Sequence, residues 1–218
     1  MNSLQSKKVL EHLFSFITEH KKNKMMQVLE HRTRHVTVVL ENLFQSHNAS
    51  AVLRSCDIFG VQDMHVVENK NTFKVASGVA MGASKWLNVH RYSDVATAMQ
   101  KLKKDGYRII ATVPRHDAVP IQSLNIDTKM ALFFGAEYTG LSSQVLEHAD
   151  EAVVIPMFGF TESFNISVSV ALCLQEVIGR LHSSQIKWRL NELERQDLLL
   201  QWARKVLRNA DALEKQLD

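Results

Sequence analysis

Met130-Ala-Leu-Phe-Phe-Gly-Ala-Glu-Tyr-Thr-Gly140 is the stretch on which the fold turns. Its first part is an apolar run of strand length, and the run stops at a glycine. Glycine at both ends of Gly135–Gly140 lets the backbone turn tightly and approach a ligand, while Glu137 offers a carboxylate at a sheet edge. Just after it, Ser142 stands where a helix N-cap belongs, and a helix through Glu147 follows. Taken alone, G-x-E-x-x-G also fits an ordinary strand-to-helix connection.

Working outward, the same alternation recurs. Val36–Leu40, Met64–Val67, Val89–Tyr92, Arg108–Val113 and Ala152–Ile155 read as further strands, separated by amphipathic stretches such as Ser50–Phe59 and Ser93–Lys104. Short apolar strands alternating with helices predict an α/β domain with a mostly parallel sheet and helices on both faces. Asn165–Leu181 carries no charge before Glu176, which predicts a helix buried on most sides. This main domain spans residues 36–182.

Two extensions flank it. Residues 1–35 place Leu10, Leu13, Phe14 and Ile17 at helical spacing, then the basic His20–Lys24 stretch, then Met25, Val28 and Leu29, and read as a short helical arm. Residues 183–218 carry Leu199, Trp202, Val206, Leu213 and Leu217, with Ala210 between, as one apolar helical stripe opposite Arg204, Lys205 and Arg208.

Composition narrows the class. With 218 residues, 45% hydrophobic and 22% charged, the chain can bury one sizeable core and is not a disordered polymer. No apolar run reaches the ~20 residues of a membrane span, and Met1–Lys8 lacks the pattern of a secretory signal, so a cytoplasmic protein off the membrane is expected. Cys56 and Cys173 stand far apart and outside any CxxC pair, which points to two reduced thiols, no disulfide framework and no metal. Charge is uneven: residues 1–35 hold seven basic and three acidic side chains, residues 36–179 eleven and fourteen, residues 180–218 eight and six. Basic arms on a near-neutral body suit a polyanion partner, since Lys and Arg near phosphates release counterions. Solvated helical faces explain the same pattern equally well.

Two more segments place polar residues where strands give way to turns, the usual ligand position in open α/β sheets. In His47-Asn-Ala-Ser-Ala-Val-Leu-Arg-Ser-Cys-Asp-Ile-Phe-Gly60, Asn48 precedes a helix and Arg54 projects from its second turn; a helix cap and a surface ion-pair partner are the plainer alternatives. In Ile155-Pro-Met-Phe-Gly-Phe-Thr-Glu-Ser-Phe-Asn-Ile-Ser-Val-Ser-Val-Ala171, the residues Ser163, Asn165, Ser167 and Ser169 are unusually polar for the start of an apolar helix. They either satisfy local backbone groups or face a cavity.

In order and spacing, these three blocks resemble the signature motifs of the SpoU methyltransferases within the trefoil-knotted SPOUT class, over about Arg32 to His182. Ser55-Cys56-Asp57 and Ala83-Ser-Lys-Trp86 are more similar to the tRNA (guanosine-2′-O)-methyltransferase branch, often called TrmH, than to the ribosomal branches. The resemblance implies a C-terminal trefoil knot, a homodimer, S-adenosyl-L-methionine as cofactor, and methyl transfer to a ribose 2′-hydroxyl of RNA, a guanosine in tRNA. It also implies site roles: Asn48 and Arg54 from the first motif, Glu137 from the second, and Ser163 and Asn165 from the third. The cofactor pocket it implies uses Thr112, Gly135, Ile155, Met157 and Phe164, largely through backbone atoms. Arg32 and Arg34 are expected to meet RNA phosphates. The small pair Ala49-Ser50 stands where the family has glycine or serine, a small-for-small change.

No G-x-G-x-x-G follows a strand, so nothing suggests a dinucleotide site. The same chemistry on ribosomal RNA and a non-catalytic RNA-binding protein of this fold are the competing readings. The second predicts a damaged motif, whereas Arg54, Glu137 and Asn165 are all present.

Overall fold

The computed structural model describes residues 3–43, 45–69, 82–115 and 117–217. They divide into two compact units, one built from both chain ends, up to Arg32 and from Arg189, and one spanning Thr33–Trp188.

In the Thr33–Trp188 unit, seven described strands form one sheet: β1 (Val36–Glu41), β2 (Asp63–Val67), β3 (Asn88–Tyr92), β4 (Arg108–Thr112), β5 (Val119–Pro120), β6 (Met130–Phe134) and β7 (Glu151–Val154). Their order is β3-β2-β1-β6-β4-β7-β5, and every pairing is parallel. The apolar runs explain the centre. β1, β2 and β6 are buried along their whole length, as strands covered on both faces must be. Edge strand β3 carries exposed His90 and Arg91 instead.

Alternation divides the core in two. Val36, Val38 and Leu40 of β1 face α3 (Ser46–Ile58) and α6 (Ile166–His182), packing with Val52, Leu53, Val170 and Leu174. Val39 and Phe133 point the other way, to α4 (Val95–Lys104) and α5 (Ser143–His148), where they join Ala98, Leu102, Leu141 and Val145. Helix starts follow side-chain caps: Asp94 accepts from Thr97 N at 2.8 Å, Ser142 from Val145 N at 3.4 Å and Asn165 from Ser167 N at 2.9 Å.

The other unit holds α1 (Ser3–Ser15), α2 (Glu19–Leu29), α7 (Glu192–Val206) and α8 (Ala210–Glu214). Val9, Leu13, Ile17, Leu200 and Ala203 form its centre. The stripe read as one C-terminal helix is two. α7 ends at Val206, and α8 folds back so that the Arg204 guanidinium pairs with Glu214 at 2.6 Å. The N-terminal arm is likewise two helices, because Thr18 caps α2. A capping box of Asn191 and Glu194 starts α7.

No described helix is long and apolar enough to cross a membrane.

Candidate active site

β1 leads outward to β2 and β3 on one side, while β6, β4, β7 and β5 lie on the other. A crevice therefore opens at the carboxyl ends of β1, β6, β4 and β7, the place such sheets reserve for ligands. A cavity of about 720 Å³ lies there.

Its first wall is the loop after β6. Gly140 adopts φ +66°, in the left-handed region, and its N–H donates to Ala136 O at 2.9 Å, closing Gly135–Gly140 into a tight turn. Gly135 lies beneath that turn: a Cβ added to it would sit 2.0 Å from the carbonyl carbon of Gly140 and 2.2 Å from Leu141 N. Only glycine fits without moving the backbone. The second wall follows β4, where Thr112 lines the cavity and its hydroxyl donates to Phe133 O at 2.7 Å, tying the two strands together. The third runs from Ile155 past Met157, Ser163 and Phe164 into Asn165 at the start of α6.

The three motif blocks meet at Asn48. Its Nδ2 donates to Glu137 Oε1 at 2.8 Å and to Gln45 Oε1 at 3.2 Å, and its Oδ1 accepts from Asn165 Nδ2 at 3.2 Å. Asn165 Oδ1 is occupied in turn by Ser167 N and Ser167 Oγ. Asn48 is buried, 4% exposed, and sits inside the first turn of α3, whose N-cap is Gln45; it does not precede the helix as the sequence suggested. With both amide hydrogens and the carbonyl engaged, this side chain has one orientation.

Thus Asn48, Glu137, Ser163, Asn165, Thr112, Gly135, Ile155, Met157 and Phe164 all line the cavity. Arg54 does not. It is exposed on α3 and makes no hydrogen bond or ion pair with another described residue. Arg32 and Arg34, the two arginines expected to meet RNA phosphates, have partners within the chain. Arg32 is 1% exposed with its guanidinium 5.5 Å from the Trp202 ring centroid, and Arg34 donates to Asp63 Oδ2 at 2.7 Å. Both side chains are held by protein partners, because Trp202 and Asp63 offer a π-face and a carboxylate.

Sequence reasoning missed Gln45 and Arg115 on the cavity wall. Gln45 carried a weak signal, a polar residue one turn ahead of Asn48; Arg115, in a loop after β4, carried none. Cys173 also reaches the cavity, but burial pushes its thiol up to about 12, so it is a neutral wall and no nucleophile. Among the described residues no three His, Cys, Asp or Glu side chains come together as a metal site.

Set among known proteins, this arrangement defines an RNA-methylase class. Residues 35–175 match the model of the SpoU rRNA Methylase family. The chain is 45% identical over 202 residues to a tRNA (guanosine(18)-2′-O)-methyltransferase of Borreliella burgdorferi, covering 93% of each chain. It is 35% identical to the enzyme of that name from Thermus thermophilus, over 86% of this chain and 98% of the relative. The crystal structure of the A. aeolicus TrmH/SpoU tRNA modifying enzyme superposes with a TM-score of 0.77 at 29% identity, over 87% of this chain and 98% of that one. This chain belongs to the SpoU methylase family.

Proposed function

We propose that this protein transfers a methyl group from S-adenosyl-L-methionine to a ribose 2′-hydroxyl of RNA, specifically a guanosine of tRNA, with position 18 the first to test. The observation that carries the reading is the Asn48 junction. It joins the three motif blocks, far apart in sequence, on one cavity at the strand ends. The relatives' names supply the RNA class.

The cavity suits the cofactor by size, since about 720 Å³ falls in the range of sites that enclose a drug-sized ligand. Backbone atoms of Gly135, Thr112, Ile155 and Met157 would hold its purine and ribose, with Phe164 beside them. Bound there, S-adenosylmethionine supplies an electrophilic methyl on a sulfonium. Ser163 and Asn165 orient the acceptor ribose, and Glu137 fixes Asn48.

Deprotonating the hydroxyl falls to Arg54 and its surroundings. A guanidinium has a pKa above about 12 and donates hydrogen bonds only, so it acts by stabilising the developing alkoxide and docking the adjacent phosphate, the proton leaving to phosphate or water. Arg54 is outside the cavity of its own chain and exposed, which fits a homodimer in which a second copy or the RNA brings the two together. The exposed apolar residues Phe158, Phe160, Val168 and Leu172, on and before α6, support such an interface. The resemblance and the A. aeolicus superposition support a trefoil knot in the same region. A tRNA substrate suits a cytoplasmic protein.

Nucleoside mass spectrometry of tRNA and of ribosomal RNA fragments incubated with the purified chain and cofactor tests the function. 2′-O-methylguanosine in tRNA supports it. Methylation confined to ribosomal RNA moves the substrate, and no ribose methylation removes the proposal.

A further inference from the structure

Glu41 ends a strand whose other residues are apolar or, at Thr37, β-branched, and it is 2% exposed. Burying a carboxylate is costly unless it is bonded, and no ion pair to it exists among the described residues. Asp63, also buried, has Arg34 and His90. The described bond of Glu41 is to a backbone group across the sheet: Oε2 accepts the N–H of Ser142 at 2.9 Å, a partner 101 residues away.

Geometry makes this bond a fixed point. Glu41 follows Val39 on the β1 face that meets Leu141 and Val145. Immediately after it Asn42 adopts φ 54°, the one described non-glycine residue in the left-handed region, and its N–H bonds Val67 O at 3.0 Å. The main chain leaves the strand there, and the carboxylate stays behind facing α5. Ser142 is where the Gly135–Leu141 wall of the cavity ends. That wall is therefore tethered in its middle by Asn48 to Glu137 and at its far end by Glu41 to Ser142. Between the two tethers lies the close approach of Gly140 to Gly135.

We propose that Glu41 is a positioning residue for the methyl donor: by holding Ser142 it keeps the Gly135–Leu141 loop closed on the strand ends, and so sets donor affinity without touching donor or RNA. The proposal rests on the reading of the cavity as the S-adenosylmethionine site. A charged acceptor serves because hydrogen bonds to a carboxylate are about twice as strong as neutral ones. A loop whose closed form is shared with an open one binds its ligand more weakly in proportion to the closed fraction.

The test uses the full chain and S-adenosylhomocysteine as calorimetric probe, with circular dichroism as a check on folding. Glu41→Gln keeps an acceptor oxygen and should bind within about threefold of wild type, whereas Glu41→Ala should bind at least about tenfold more weakly. KM for the donor should rise with it, while kcat at saturating donor and KM for RNA stay within about twofold. Ser142→Pro removes the N–H at a φ of −64°, which proline shares, along with the hydroxyl that caps Val145 N, and is therefore compared with Ser142→Ala, which loses the hydroxyl alone; the loss beyond Ser142→Ala should match that of Glu41→Ala, with no further loss in the double variant. That variant carries the test should Glu41→Ala fail to fold. Wild-type affinity in Ser142→Pro or in folded Glu41→Ala, or an equal loss in donor affinity and RNA KM, overturns the proposal. A wild-type chain that binds no S-adenosylhomocysteine overturns the cavity reading and this inference with it; a wild type that binds while the variants match it overturns this inference alone.

Discussion

Gly135→Ala places one methyl group where the structure has no room. The new Cβ would lie 2.0 Å from Gly140 C, 2.2 Å from Leu141 N and 2.3 Å from Gly140 O. Carbon atoms in contact sit about 3.5–4.0 Å apart, so the loop must retreat by about 1.5 Å. The obstacle is backbone, which cannot rotate aside as a side chain can. A retreat of that size breaks the Gly140 N–H to Ala136 O bond and pulls Ser142 from Glu41. A neutral bond is worth about 1 kcal/mol net and one to a charged group about 2, roughly 3 kcal/mol together. Expressed as an opened cavity wall, this weakens S-adenosylhomocysteine binding about 100-fold, at 1.4 kcal/mol per factor of ten. Expressed globally, it lowers Tm by about 6–12 °C for a chain of this size. Calorimetric titration and a thermal melt read the two quantities separately. Binding within about threefold of wild type together with a Tm within about 2 °C would show that the loop relaxes at no cost, and the packing reasoning would be wrong.

Arg54→Lys keeps the positive charge and loses the planar two-pronged donor, and should lower kcat at least about tenfold with donor affinity unchanged; near-full turnover would refute the role given to the guanidinium. Stability should fall on acidification because of His65, which burial first, and the neighbouring His90 second, hold down at about 4. The unfolded chain takes up this proton near pH 6.5 and the folded one only near 4, so roughly 3 kcal/mol present above 6.5 is lost across that window. Asp63 keeps its contribution to lower pH: burial alone would raise its pKa, but bonds from His90, Arg34 and Asn88 hold it well below the carboxylate range. His65→Phe should flatten the pH 4–6.5 melting profile, and an unchanged profile would place the effect elsewhere. Val168→Asp with Leu172→Asp puts charge on the exposed apolar face of α6 and should turn the proposed homodimer into a monomer in sedimentation; a dimer that persists in the variant moves the interface, and a wild-type chain that sediments as a monomer removes it.

The strands were legible because the central ones are rich in apolar and β-branched residues and bounded by turn residues, and β6, the wholly apolar one, falls on the residues expected, Met130–Phe134. β5 escaped notice since Val119–Pro120 is too short to show a period. The break between α7 and α8 was invisible for a different reason: the apolar spacing continues through Leu213, no proline interrupts it, and the turn is fixed by the Arg204–Glu214 pair. For the site, polar residues at strand ends pointed to the right loops, but their convergence is tertiary and came only through resemblance. Arg32 shows the limit in the other direction. In His31-Arg-Thr-Arg-His35 it reads as a partner for RNA phosphate, and only the fold reveals Trp202 beside it. Glu41 did carry a signal, a carboxylate directly after five apolar or β-branched residues, whose partner no local pattern could supply.

Asn48 bonds Glu137 across 89 positions of sequence and Asn165 across 117. During synthesis the ribosome must therefore release nearly the whole central unit before the junction has both partners. An incomplete chain, whatever strands it has already paired, would lack a finished pocket. Uptake of the methyl donor could thus serve as a clock for refolding, appearing with the last step of assembly and silent for every species before it.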